Sequence, residues 1–370
     1  MKTYPITVER CNGAVPIITP GSNWWETGVT FNAAALYLER SAANDKIIQT
    51  LLPMRRLSDA DLHNGIIVIH YRARPETDPG LPFVRSFIGL ALFTPEFKPL
   101  YRYKEPVIFP EPMPDGADYL GVEDPRITRI GNTFTMVYCG LKADPETVYH
   151  TQLCTARSTD LLHWEKLGPM RGDINAHYNK DGVLFPGAEQ GKYYLLHRPW
   201  WNGLPHADYA MNLAVSNAPD GTWRDLGPIM HSFHNPRFKE SWIGAGGVPV
   251  PLGDGRYMMI YHTGNSRADS TLEYDLDAAL LDMRHAETDP ASVVRGRIEH
   301  FMVPETPEEL GSSSTLQVQN VLFTCGSYVY GDHLYIVYGG ADTYLLAARV
   351  EIATLMRELE AADLKNPFVA

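Results

Sequence analysis

The sequence predicts an all-β fold, and two observations support that prediction. The 370 residues are 44% hydrophobic and 11% aromatic, with 30 Gly and 28 Pro, a composition that suits many short strands joined by tight turns. Five segments also share one pattern, in which a turn residue precedes aromatic and β-branched residues and a small or polar residue ends the run. They are NGIIVIHYRA from Asn64, GNTFTMVYCG from Gly131, GKYYLLHRPW from Gly191, GRYMMIYHTG from Gly255 and GDHLYIVYGG from Gly331.

The spacing of these segments predicts the architecture. Their starts lie roughly 60 to 75 residues apart, within reach of one propeller blade with extended loops. A second repeat, STDLLHWEKLG from Ser158 and SNAPDGTWRDLG from Ser216, has the features of an outer strand and its turn. The chain is therefore predicted to form a single five-bladed β-propeller domain over residues 1–370. A β-sandwich with chance similarity among its strands is the alternative.

Two segments depart from the repeat. Residues 43–62, ANDKIIQTLLPMRRLSDADL, have the sequence of a helical or irregular insertion before the first blade. The tail from Leu345, LLAARVEIATLMRELEAADL, places apolar residues at helical spacing and predicts a C-terminal helix. Either segment could serve oligomerisation, although a helix packed on its own propeller is the more common arrangement.

Charge and cysteine usage narrow the class of protein. The formal net charge is −12 and no Lys/Arg stripe is present, so neither nucleic acid nor an anionic membrane is an expected partner. The N-terminal MKTYPITVERCNG lacks the apolar core of a signal peptide, and no run is long enough to span a bilayer. The four cysteines form no CxxC pair, and buried free thiols are expected at Cys139 and Cys325. A cytoplasmic protein is predicted.

Polar side chains recur at the ends of the repeated strands. Equivalent positions in the blades of a propeller lie around one central axis, so these side chains should converge. The segment GVEDPR before the second repeat adds two acids to the set, whose members are Tyr71, Arg72, His197, Arg198, Tyr261, His262, Asp342, Glu123 and Asp124. Cations at three matched ends beside a carboxylate suit anions and sugars, although each alone is more often part of a surface or inter-blade ion pair.

Two acids in this set, Glu123 and Asp124, are adjacent in sequence. Because adjacent residues of an extended chain point to opposite faces, they are not expected to act as one pair. The residues alone leave open which of the two does chemistry.

Six segments together resemble glycoside hydrolase family 130. They are GVEDPRIT, KDGVLFP at 180–186, GKYYLLHRP, WIGAGGVPV, YHTG and YGGADT, and they follow the order of the family between about Phe31 and Thr343. That family consists of five-bladed propellers, many of which are inverting mannoside phosphorylases. The resemblance therefore implies a phosphorylase of β-mannosides.

The resemblance implies that Asp124, the aspartate of the D-P-R segment, is the general acid. It would protonate the glycosidic oxygen, in some members by way of the 3-hydroxyl of mannose. Glu123 would have a structural role, with Arg126 as an ion-pair partner. Because a general acid must carry a proton, we expect partial burial to raise the pKa of Asp124 despite the nearby cations.

The resemblance also implies a set of phosphate-binding side chains, namely Lys180, Arg198, His262 and Tyr274. The side chains implied to contact the donor sugar are Asn32, Arg72 and Asp342. Asp181 follows Lys180 where some members have Asn, and this acid could hold Lys180 in place.

The implied chemistry needs one acid rather than two. Inverting hydrolysis requires an acid and a base that hold a water between them, whereas inorganic phosphate is already an anionic nucleophile. Phosphate needs instead a cationic pocket opposite the acid, which Lys180, Arg198 and His262 could supply. The sequence carries no metal-binding or cofactor-binding motif, so we predict no metal and no organic cofactor, with phosphate as a co-substrate.

The predicted function is phosphorolysis with inversion, in which a β-mannosyl disaccharide or oligosaccharide and phosphate give α-mannose 1-phosphate and the shortened sugar. One alternative is a β-mannosidase of the same family, which uses water and generally lacks the phosphate-binding cations. Another is a catalytically inactive sugar-binding propeller. The acceptor sugar, the linkage and the formation of a homo-oligomer stay open.

Overall fold

The structure is a computed structural model that describes residues 5–52, 59–78, 81, 83–145, 147–201, 203–233, 237–312 and 317–363. Its strands form five sheets of four or five strands, each one blade of a five-bladed β-propeller, as predicted. Neighbouring strands are antiparallel except for one short parallel pair in the third blade. The innermost strands of the first four blades contact one another in order, and the innermost strand of the fifth contacts that of the first, so these strands surround the axis.

The first two blades follow the N-terminal strand in sequence. Strand β1 (Val8–Arg10) belongs to the last blade and is described with it. The first blade comprises β2 (Val29–Leu38), β3 (Ile66–Arg74), β4 (Phe87–Phe93) and β5 (Pro99–Arg102). The second comprises β6 (Gly121–Ile130), β7 (Thr133–Asp144), β8 (Val148–Ser158) and β9 (Glu165–Pro169).

The remaining blades have the same plan with small additions. The third comprises β10 (Arg171–Gly172), β11 (Tyr178–Leu184), β12 (Tyr193–Trp200), β13 (Met211–Ser216) and β14 (Thr222–Met230). The fourth comprises β15 (Glu240–Ala245), β16 (Val250–Gly253), β17 (Arg256–Ser266), β18 (Leu272–Asp282) and β19 (Val294–Met302). The fifth comprises β20 (Leu322–Tyr330), β21 (His333–Gly340), β22 (Tyr344–Glu351) and β1. The two predicted outer strands are therefore β9 and β14.

The first and last strands of the described residues meet in the fifth blade. Strand β1 pairs with β22, so the first strand of the chain completes the last blade. Arg349 Nε donates to Glu9 Oε2 at 2.9 Å. Arg10 Nε donates to the buried Glu309 Oε1 at 2.7 Å, and Tyr338 donates to the same oxygen. This pairing closes the ring of blades without a covalent link.

The turn glycines explain the repeat in the sequence. Each repeated segment forms the strand that pairs with the inner strand of its blade. The glycine at its start has a positive φ: 77°, 61°, 78°, 73° and 60° for Gly65, Gly131, Gly191, Gly255 and Gly331. Residues with a Cβ rarely adopt this left-handed conformation, whereas glycine does so at little cost. The repeated glycine therefore marks the turn that leads into this strand.

Apolar side chains fill the spaces between blades. Both faces of most strands are buried, because each sheet packs against a blade on either side. One cluster joins Val68 and Leu90 of the first blade to Met136 of the second. Four further clusters occupy the other interfaces between neighbouring blades. Cys139 and Cys325 are buried free thiols within this core, as predicted.

Helices lie outside the blades. Helix α1 (Ala42–Leu51) starts at Ser41, whose side chain accepts a hydrogen bond from Asn44 N at 3.2 Å. With α2 (Asp59–Leu62) it forms the predicted insertion, of which residues 53–58 lie outside the described part of the chain. Helix α3 (Pro307–Leu310) precedes the fifth blade, and α4 (Ile352–Asp363) follows it.

The predicted C-terminal helix is present but begins later than the sequence suggested. Residues from Leu345 to Glu351 continue β22. Leu345, Leu346, Ala347 and Ala348 are all buried, because β22 has neighbours on both faces, and such a continuous apolar run does not distinguish a strand from a helix. Helix α4 packs against β18 and β19 of the fourth blade through residues that include Leu355 and Leu359. Among the described residues no helix is both long and apolar enough to cross a membrane.

A buried acidic cluster lies within the fourth blade. On β18, Asp275 and Asp277 are fully buried. His300 Nδ1 contacts Asp275 Oδ2 at 2.6 Å, and its backbone N–H donates to Asp277, to which Thr263 also donates. Burial raises the pKa of Asp277 to about 8. The hydrogen bond to Asp275 raises the pKa of His300 to about 9. At neutral pH a charged imidazolium therefore lies beside Asp275 and the largely protonated Asp277.

Candidate active site

The inner strands of three blades carry the same irregularity. The pairing register shifts between Phe31 and Ala33 in β2, between Glu123 and Arg126 in β6, and between Lys180 and Val183 in β11. Each shift contains a residue with positive φ: 42°, 52° and 57° for Asn32, Asp124 and Asp181. Such β-bulges redirect side chains out of the regular alternation of a strand. Three equivalent polar residues are thereby directed to one site.

The bulge in β6 brings the adjacent acids together. Arg72 Nη1 donates to Asp124 Oδ1 at 3.1 Å, and Arg72 Nη2 contacts Glu123 Oε1. The Arg72 guanidinium also lies over the ring of Phe31, at 4.7 Å from its centroid. The expectation that Glu123 and Asp124 point to opposite faces is therefore wrong, because the bulge interrupts the alternation.

Asp124 lies in a cationic environment. Its side chain is 7% exposed, and Asn32 Nδ2 donates to Oδ1 at 2.9 Å. Burial raises the pKa of Asp124, but Arg72, Lys180 and Arg126 outweigh this effect and hold the pKa below its ordinary value. The expected rise is therefore wrong for the protein without ligands, in which Asp124 is ionised at neutral pH.

Glu123 has partners other than the predicted one. Lys180 Nζ donates to Glu123 Oε2 at 3.2 Å, so this acid lies between Lys180 and Arg72. Arg126 instead binds the backbone carbonyls of Ala245 and Gly246 at 2.9 and 3.0 Å. The predicted Glu123–Arg126 ion pair is wrong. The reason is again the bulge, which turns the two side chains in different directions.

Asp181 contacts Arg198 and His262, two of the side chains predicted to bind phosphate. Arg198 Nη2 lies 3.0 Å and His262 Nε2 lies 3.5 Å from Asp181 Oδ2. Arg126 Nη2 donates to Oδ1 at 3.1 Å. Asp181 is therefore the counter-ion of Arg198 and Arg126 and a close neighbour of His262. The suggestion that it holds Lys180 in place is wrong, because Lys180 pairs with Glu123. Arg198, His262 and Arg126 hold the pKa of Asp181 well below the ordinary range, although burial acts to raise it.

Lys180, Arg198 and His262 were predicted to be cations, but they differ in charge. Burial lowers the pKa of Lys180, but Glu123 is among the groups that raise it above its ordinary value, so Lys180 is charged. Burial lowers the pKa of His262 in spite of the neighbouring Asp181, so the imidazole is neutral at pH 7. Lys180 and Arg198 are cross-strand partners in β11 and β12. The site thus contains an ammonium, a guanidinium and a neutral imidazole.

Aromatic residues form the wall beside His262. Trp242 Nε1 donates to Tyr274 Oη at 3.0 Å, and the rings of His262 and Tyr274 have centroids 6.1 Å apart. Phe323 packs against His262 with a centroid distance of 4.2 Å. Burial raises the pKa of Tyr274 to about 12. Tyr274 is therefore a neutral hydroxyl next to the cations, as a phosphate contact requires.

Asp342 lies near the acid pair. Its φ is 50°, directly after β21 and Ala341. Burial raises the pKa of Asp342 to about 6, with Arg72, Asp124 and Arg74 as charged neighbours. Arg74 Nε is buried without a hydrogen-bond partner among the described residues. Asp342 thus completes a polar rim on the side of Arg72.

Not every strand-end residue reaches the site. Tyr71 donates to Glu26 at 2.6 Å within the first blade. His197 Nδ1 contacts Asn179 Nδ2 at 2.9 Å within the third. Both residues have structural partners, since side chains next to Arg72 and Arg198 in a strand point to the opposite face.

The structure brings together the sequence-predicted residues as two groups. The first surrounds the acid and comprises Asn32, Arg72, Asp124 and Asp342. The second surrounds Asp181 and comprises Arg198, His262 and Tyr274, with Lys180 bound to Glu123 between the groups. The roles of Phe31, Arg126 and Asp181 were missed. The P-R pair after Asp124 and the K-D pair of KDGVLFP were the available signals.

The fold and the site define a class of protein: a propeller enzyme with buried carboxylates and cations gathered at its centre, suited to sugars and an anionic co-substrate. Comparison with known proteins identifies the family. A family model described as beta-1,4-mannooligosaccharide phosphorylase, of glycoside hydrolase family 130, matches residues 65–361. The chain belongs to this family.

Individual relatives agree with this assignment. A 1,2-beta-oligomannan phosphorylase from Thermoanaerobacter sp. (strain X514) is 31% identical over 343 residues, which cover 91% of this chain and 95% of the relative. The beta-1,2-mannobiose phosphorylase from Listeria innocua, solved with beta-1,2-mannobiose, has a TM-score of 0.70 at 19% identity and covers 96% of this chain and 99% of its own.

A second similar solved structure comes from work on family 130 glycoside hydrolases that target beta-1,2 mannosidic linkages in Candida mannan. Its TM-score is 0.67 at 21% identity, and the match covers 94% of this chain and 95% of the other. At these identities the two solved structures show the fold alone. Phosphorylases and hydrolases of the family therefore share this architecture.

Proposed function

We propose that this protein phosphorolyses β-mannosides with inversion of the anomeric carbon. The products would be α-mannose 1-phosphate and the shortened sugar. The observation that carries the proposal is the convergence of Asp124 with Lys180, Arg198 and His262 in two adjacent ion-pair networks. Arg126 links the two networks, because it donates to the backbone carbonyl of Asp124 at 3.2 Å and to Asp181 Oδ1 at 3.1 Å. Tyr274 adds a neutral hydroxyl beside this group.

The proposed step breaks the glycosidic C–O bond. A phosphate oxygen forms a bond to the anomeric carbon, and the leaving oxygen takes the electron pair of the broken bond together with the proton of Asp124. Asn32 and Arg72 hold the Asp124 carboxyl at 2.9 and 3.1 Å and would orient its proton. Because Asp124 is ionised without ligands, it must gain a proton as the dianionic phosphate compensates the neighbouring cations.

The rival hydrolytic function requires a base. Asp181 is the carboxylate placed among the cations, and it would be the candidate to activate water. Burial acts to raise its pKa, but Arg198, His262 and Arg126 hold that pKa well below the ordinary range. Such a carboxylate is a weak base. The environment of Asp181 therefore argues against this residue as the base of a hydrolase.

We further propose that the substrate carries a β-1,2 linkage. The relative that is 31% identical over most of this chain is a 1,2-beta-oligomannan phosphorylase. The description of the family model names the β-1,4 linkage instead, so both linkages belong in the test.

The chain is proposed to act in the cytoplasm, without metal or organic cofactor. Its buried free thiols are compatible with a reducing compartment.

One experiment tests the function. The purified protein is incubated with β-1,2- and β-1,4-mannobiose, each with and without phosphate, and the products are separated by anion-exchange chromatography. Mannose 1-phosphate that forms only with phosphate supports the proposal. Free mannose without phosphate would identify a β-mannosidase, and binding without turnover would identify a sugar-binding propeller.

A further inference from the structure

A buried carboxylate lies among the groups proposed to bind phosphate. Asp181 is 1% exposed and is fixed by the bulge in β11 and by its φ of 57°. Gly244 of β15 faces it, and a Cβ at that position would overlap both Asp181 Oδ2 and His262 Nε2. The absence of a side chain at Gly244 therefore leaves room for the carboxylate and the imidazole in one confined space.

The groups around Asp181 have unused hydrogen-bonding capacity. Within the described parts of the chain, no hydrogen bond is made by Asp181 Oδ2, Arg198 Nε or either ring nitrogen of His262, although all four atoms are buried. The Arg198 and His262 contacts to Oδ2, at 3.0 and 3.5 Å, lack hydrogen-bond geometry. Asp181 Oδ2 is therefore in ion-pair contact but accepts no hydrogen bond. Buried polar atoms that lack hydrogen bonds are costly, so these donors and this acceptor indicate a ligand that both accepts and donates hydrogen bonds.

Inorganic phosphate has this dual character, whereas sulfate does not. Near neutral pH phosphate retains at least one P–OH group, which can donate to a carboxylate, and its other oxygens can accept from guanidinium and ammonium groups. Every oxygen of sulfate is an acceptor at this pH. Placed in the same position, sulfate would bring an anionic oxygen against Asp181 Oδ2 without a proton between them.

We propose that Asp181 accepts a hydrogen bond from the P–OH of bound phosphate and thereby selects protonated tetrahedral oxyanions over sulfate. This inference rests on the proposed phosphorylase function. Asp181 acts here as a specificity determinant. When Asp181 binds the hydroxyl, the unprotonated oxygens of phosphate remain free to contact Arg198 and Lys180. One of these oxygens then bonds to the anomeric carbon. A neutral amide at this position would remove the discrimination, because its NH₂ group can donate to any anionic oxygen.

The first test uses the unmodified protein. Phosphate and monofluorophosphate have the same shape and, at pH 8, the same charge, but fluorine replaces the hydroxyl. Calorimetric titration is expected to give a dissociation constant at least about tenfold higher for monofluorophosphate and sulfate than for phosphate, since a hydrogen bond to a charged group is lost. Equal binding of all three anions would overturn the inference.

The second test compares two variants that each remove one negative charge. In Asp181→Asn the ratio of the sulfate inhibition constant to the phosphate KM should fall at least about tenfold. Glu123→Gln removes the negative charge beside Lys180 and leaves Asp181 in place. In this variant that ratio should stay unchanged. An unchanged ratio in Asp181→Asn, with phosphate still consumed, would refute the role of Asp181 but not the proposed function. Failure of the unmodified protein to bind any of the anions would refute both this role and the proposed function.

Discussion

Arg72 holds Asp124 and its neighbour Glu123 with one guanidinium group, through a 3.1 Å hydrogen bond to Asp124 and a contact to Glu123. Two adjacent residues can share one partner because the β-bulge turns Asp124 out of the strand alternation. The same arrangement lowers the pKa of the proposed acid. We therefore expect Asp124 to become protonated only when a further negative charge, that of phosphate, enters the site.

Replacement of the proposed acid should abolish phosphorolysis of natural substrates. In Asp124→Asn we expect kcat for mannobiose to fall by about 10²- to 10⁴-fold, the usual contribution of a general acid. An amide keeps the shape and can still accept from Asn32 and Arg72, so circular dichroism and the melting curve should indicate an intact fold. A β-mannoside with a 4-nitrophenolate leaving group, which needs no proton, should be affected far less. Full activity on mannobiose would disprove the assignment.

Phosphate should change the pH dependence of the reaction. Burial raises the pKa of Asp124 and its cationic neighbours lower it below the ordinary value, and the charge of bound phosphate should raise it again. Because only the protonated acid is active, the alkaline limb of kcat/KM for mannobiose should move to higher pH when phosphate is raised from below to above its KM. Initial rates between pH 4 and 9 at two phosphate concentrations measure the shift. A limb at the same pH in both series would contradict the proposed protonation of Asp124.

Arg198 should contribute mainly to phosphate affinity. In Arg198→Ala the KM for phosphate should rise by about 10- to 100-fold, since a hydrogen bond to a charged group contributes about 1.5–3 kcal/mol. The matched control is Arg157→Ala, which removes a half-exposed guanidinium paired with Glu165 at 2.8 Å on the outer part of the second blade. Its kinetics should change by less than about twofold. A similar loss in both variants would mean that net charge, rather than the site, governs phosphate binding.

The buried acid of the fourth blade should limit stability as the pH rises. The pKa of Asp277 is about 8 in the folded protein, whereas an unfolded chain has the ordinary value near ~4. The folded state therefore retains a proton that the unfolded state loses, and the cost to stability grows from about pH 4 to about pH 8 and then levels off. Asp277→Asn removes this cost and should raise the free energy of unfolding by about 1–3 kcal/mol at pH 7.

Urea unfolding of the Asp277→Asn variant at pH 5, 7 and 8.5 checks the sign, since its gain over the unmodified protein should increase along this series. Asp282→Asn, on the same strand, is the matched control, because the hydrogen bond from Arg284 Nε at 2.9 Å lowers the pKa of Asp282. That variant should be destabilised. If Asp277→Asn were also destabilised at pH 7, the proposed protonation of Asp277 would be wrong.

The sequence predicted the repeated strands but not the bulges. A repeated strand is visible because its glycine, its aromatic residues and its alternation are local properties of the chain. A bulge is a mismatch between two paired strands, so the positive φ values of Asn32, Asp124 and Asp181 leave no comparable local signal. Consequently the candidate residues were found, whereas the partners of Glu123, Arg126 and Asp181 were not.

Strand β1 has a consequence for the order of events during synthesis. It is synthesised before the other strands of the propeller, yet its partner β22 is the last strand among the described residues, and the Arg349–Glu9 contact joins residues 340 positions apart. Four blades can complete their sheets as the nascent chain grows, but the fifth must wait until β22 has been synthesised. Pairing over such a separation is also slow. An N-terminal fusion or a truncation before Arg10 would therefore act on the final assembly step rather than on the chemistry.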